Sequence, residues 1–117
     1  MMRHEKLLIT KHAYNYLSTN FEPKLWASDH HGKRMIHATD AINFSMYAAL
    51  VRAYADYNKI VGPHAIFGPM HCGRYYELEK EISIITKFVR NINSVHNPGG
   101  QEMVLGLMDQ AIEKFQQ

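Results

Sequence analysis

Residues 39–62, TDAINFSMYAALVRAYADYNKIVG, constrain the fold more than any other stretch of this chain. Ile42, Met46, Ala49, Ala53, Tyr57 and Ile60 recur at helical spacing and make one stripe. Phe44, Ala48, Val51, Tyr54 and Ala55 cover much of the opposite side. A helix that is apolar on two faces is normally covered on two faces, so the spacing predicts a helix in the middle of the fold. Thr39 offers a hydroxyl N-cap, and Asp40 suits the positive end of the helix dipole. Gly62 followed by Pro63 supplies a stop.

The segments on either side predict a mostly α protein: one domain over residues 1–117, with four helices. A first helix is expected over about residues 3–18, with Ile9, Ala13 and Leu17 on its buried line and Leu7, Tyr14 and Tyr16 widening it. Glu22-Pro23 ends it. The run LWASDHHGKRMIHAT carries turn chemistry instead of helical periodicity. It reads as a small β-hairpin or irregular insertion between helices 1 and 2, with Leu25-Trp26-Ala27 and Met35-Ile36 flanking the turn. Two strands alone are marginal in water, so the insertion must lie on the helices, with Trp26 as its anchor.

Two Gly-Pro steps and a third glycine mark residues 62–74 as an unusually long connector. Beyond it, Tyr75, Leu78, Ile82, Ile85, Val89 and Ile92 alternate by three and four along a third helix, whose wet side is mostly Glu77, Glu79, Lys80, Glu81, Lys87 and Arg90. HNPGG separates this from a last helix over about residues 101–115, buried through Val104, Leu107, Met108, Ala111, Ile112 and Phe115. Gly106 interrupts that helix at a cost of about 1 kcal/mol relative to alanine. A close approach of another helix would account for it.

At 117 residues the chain is long enough to bury a core without staples. A single cysteine, Cys72, excludes an internal disulfide and fits a reducing, cytoplasmic setting. No run reaches the roughly 18 apolar residues of a membrane helix. The basic N-terminus lacks the apolar core of a secretion signal. A net charge of +2 argues against a nucleic-acid partner, although Lys24, Lys33, Arg34, Arg52, Lys59 and Arg74 could gather in the fold.

The chemically suggestive groups each have a plainer explanation. His64, His71 and Cys72 share one loop and His30, His31 and His37 another, but their spacing fits no standard zinc motif, so no metal is expected. Cys72 beside His71 resembles a nucleophile and base only in sequence; catalytic pairs are usually assembled from distant segments. The glycines of the connector lack the spacing and the Lys-Ser/Thr of a phosphate loop, and no cofactor signature is present. Asp29, Asp40 and Asp56 show no paired partner by spacing, and capping and solvation suffice for them.

Three stretches occur in an order that resembles a family of small proteins of bacteria and their phages, a domain of unknown function. They are W-A-S-D-H-H-G at 26–32, A-A-L-V-R-A at 48–53 and N-P-G-G-Q-E-M-V-L at 97–105. The resemblance implies the helical architecture and an accessory role on host machinery. It assigns no functional residue.

The function expected from these readings is non-enzymatic binding to a protein partner. Phe67, Met70, His71, Arg74 and Tyr75 are the binding candidates, because a long connector rich in aromatic, sulfur and histidine side chains exceeds what mere connection requires. The alternative is a small enzyme or small-ligand sensor built on the loop at 64–74. A homodimer through the third or fourth helix is a further option.

Overall fold

The computed structural model describes residues 3–57, 87 and 100–117. These residues are mostly helical, with a small antiparallel strand pair set between the first two helices. Helix α1 spans Arg3–Thr19, α2 spans Met46–Tyr57 and α3 spans Gln101–Gln116. The third helix expected from the sequence lies outside the described residues, apart from Lys87, which is exposed as anticipated for its wet side.

Helix α1 forms where its periodicity places it. Ile9, Ala13 and Leu17 are buried on one line, and Leu7, Tyr14 and Tyr16 pack beside them. Fully burying a side chain such as Ile9 or Leu17 contributes about 1.5–3 kcal/mol. Thr10 is also buried, and its hydroxyl donates back to the Lys6 carbonyl at 2.6 Å. That satisfies a group that would otherwise be costly inside the core.

Among the described elements α1 is the middle one, packing along both α2 and α3. Its contacts with α3 are pinned at both ends. Arg3 Nη2 donates to the Lys114 carbonyl at 2.7 Å. At the far end Gln101 Nε2 donates to the carbonyls of Leu17 and Ser18 at 2.9 and 3.2 Å. The last carbonyls of a helix have no partner within it, so Gln101 closes α1 from another helix. The buried face of α3 has Val104, Leu107, Met108, Ala111 and Phe115 inside as the spacing predicts, while Ile112 lies at its margin and is only partly buried.

Helix α2 differs from expectation at its start. Thr39 does not cap it: residues Ala38–Asp40 form a 3-10 turn, Asn43–Phe44 form a strand, and the helix begins only at Met46. Ser45 is the cap, its Oγ accepting from the Ala48 amide at 3.3 Å and its carbonyl from the Ala49 amide at 2.9 Å. Asp40 therefore lies away from the helix dipole. Ile42 is correspondingly not on the buried stripe but 44% exposed, and Tyr57 is also 44% exposed. The two-faced burial does hold: Met46, Ala49 and Ala53 are inside on one side, Ala48, Val51 and Ala55 on the other.

The insertion is the expected small antiparallel piece: Ser28 bridges Arg34 and the Asp29 amide bonds the Lys33 carbonyl at 2.9 Å across the turn, while the longer pairing of Ala27 and Ser28 is with a strand further along the chain. Ala27–Ser28 (β1) pairs with Asn43–Phe44 (β2), Ala27 facing Phe44 and Ser28 facing Asn43. The Met35 amide bonds the Ala27 carbonyl on the other edge at 3.0 Å, whereas Ile36 is 76% exposed. Phe44 accounts for the second pairing. Its large ring is fully buried, and its backbone bonds Asn20 and Glu22 at the end of α1 as well as pairing with Ala27. Trp26 is half-buried against the core with its ring 6.4 Å from that of Tyr47, the anchor anticipated for this piece.

Candidate functional site

The turn carrying D-H-H-G is built from its own side chain. Asp29 Oδ1 accepts from the amides of His31 and Lys33, each at 2.9 Å, and Gly32 adopts φ +80°, a conformation glycine reaches without a Cβ penalty. Hydrogen bonds from the Lys33 and then the His31 amide hold the Asp29 carboxyl below its ordinary range. Asp29 and Gly32 therefore have a structural reason to be where they are. His30 and His31 stand exposed beside each other, with ring centroids 3.9 Å apart. Among the described residues, no group of three or more His, Cys, Asp or Glu side chains converges.

Among the described residues, a dense polar cluster lies where α1 meets the C-terminal half of α2. Asp56 is its hub. One carboxylate oxygen accepts from the Tyr16 hydroxyl and from His12 Nε2 at 2.9 Å; the other accepts from Arg52 Nε at 3.2 Å. An ionised carboxylate only accepts, so His12 donates to it through the Nε2 proton. Burial disfavours the Asp56 charge, but bonds from Tyr16 and His12 and the charge of Arg52 outweigh it and hold the carboxyl below its usual 3.8. Burial, followed by the bond to Asp56, raises the Tyr16 phenol above its usual 10.0.

Arg52 does more than neutralise Asp56. Its Nη1 donates to the carbonyls of Ala38, Thr39 and Ala41 at 3.2, 3.1 and 3.4 Å, fastening the 3-10 turn to α2. Its guanidinium also lies 5.5 Å from the Tyr16 ring centre and 5.9 Å from that of Phe44. It is thus committed inside the fold instead of joining a basic surface with Lys24, Lys33 and Arg34. The expectation that Asp56 has no paired partner is likewise corrected. Two helical spacings carried the signal: Arg52 with Asp56, and His12 with Tyr16, each at i,i+4 on facing helices.

Beside this cluster runs an open groove of about 300 Å³, lined by Leu8, Ile9 and His12 of α1 and Ala53, Asp56 and Tyr57 of α2. Its floor is apolar because Ile9 and Ala53 are core residues seen from outside. Leu8, 39% exposed, and Tyr57 form apolar edges, while His12 and Asp56 supply the polar ones. Phe67, Met70, His71, Arg74 and Tyr75, together with His64 and Cys72, lie outside the described residues. Among the described residues, no helix is long and apolar enough to cross a membrane. No protein-family model, curated protein or solved structure matches the chain.

Proposed function

We propose that this protein acts by binding, without chemistry of its own, and that its partner is another protein. The observation that carries this reading is the groove between α1 and α2, with Leu8 and Tyr57 left in water at its edge. Exposed apolar side chains grouped along a concavity are what a contact surface offers. The neighbouring polar groups are engaged in holding the fold: His12, Tyr16 and Arg52 all converge on Asp56. Phe67, Met70, His71, Arg74 and Tyr75 remain the sequence-based candidates for a second part of the binding face. The resemblance of the stretches at 26–32, 48–53 and 97–105 to a bacterial and phage family extends the proposal to an accessory role on host machinery.

Affinity capture from the native cell, followed by mass spectrometry of proteins and small molecules, tests the reading. Recovery of one protein in stoichiometric amount is the expected result. Recovery of a small molecule alone would favour a ligand sensor and overturn it.

A further inference from the structure

We draw no further inference here: the strongest candidate, the apolar groove between α1 and α2 floored by Ile9 and Ala53, belongs to the site already described, and nothing in the structure shows what covers it.

Discussion

Tyr16 on α1 donates its hydroxyl hydrogen bond to Asp56 on α2, forty positions away in sequence. This contact ties the two helices at the point where the groove opens, and it shares its acceptor oxygen with His12. The pair should therefore be energetically coupled. In a double-mutant cycle, Tyr16→Phe and Asp56→Asn are each expected to cost about 1–2 kcal/mol, since bonds to charged groups are strong but these are partly screened by solvent. The coupling in urea unfolding should exceed about 0.5 kcal/mol. Strictly additive losses would show that the bond contributes nothing.

The same two groups set a pH dependence at both ends of the scale. Asp56 has a lowered folded pKa, so its contribution is present above the unfolded value near 3.8 and is lost as pH falls through the folded value. Tyr16 has a raised one, so its contribution is full below 10.0 and disappears as pH rises through the folded value. Stability measured against pH should flatten on the acid side in Asp56→Asn and on the alkaline side in Tyr16→Phe. Curves parallel to wild type would contradict this assignment.

Gly106 is exposed on α3, and a Cβ placed there would meet nothing within 4 Å. The close helix approach that would have accounted for this glycine is absent among the described residues. Gly106→Ala should accordingly stabilise the protein by about 0.5–1 kcal/mol through helix propensity alone. The melting temperature is expected to rise by roughly 2–4 °C for a domain of this size. A fall would mean that the small residue is required.

Gln101 closes α1 from the first turn of α3. Gln101→Ala should cost about 0.5–1.5 kcal/mol and speed hydrogen exchange at the last turn of α1. Unchanged protection of the Thr19 and Asn20 amides would place the closure elsewhere.

What could be read from the sequence was periodicity; what could not was competition between segments. The lines Ile9–Ala13–Leu17 and Val104–Leu107–Met108–Ala111 are regular enough to specify both a helix and its inner face. At residues 39–45 helical spacing continues through Ile42, yet Phe44 gains more from pairing with Ala27 and from the end of α1 than from extending α2. Thr39 looked like a cap because its residue type suits one, while Ser45, six positions on, occupies the true boundary. Asp56 looked solitary because its partners His12 and Tyr16 come from another helix. The i,i+4 spacings of Arg52 with Asp56 and of His12 with Tyr16 are legible, but not that the two pairs face each other.

The proposal stands or falls on whether the groove is a contact surface. Leu8→Asp with Tyr57→Asp alters two exposed side chains at its edges and should leave the cooperative melt in place, which is checked first. The decisive measurement is the affinity of this double variant for the protein captured by wild type, with Met70→Ala/His71→Ala and Arg74→Ala run in parallel. Loss of apolar anchors at a contact should weaken binding at least about tenfold. Wild-type affinity in the folded groove variant would contradict the account, and a loss confined to the other two variants would move the binding face to residues 63–76.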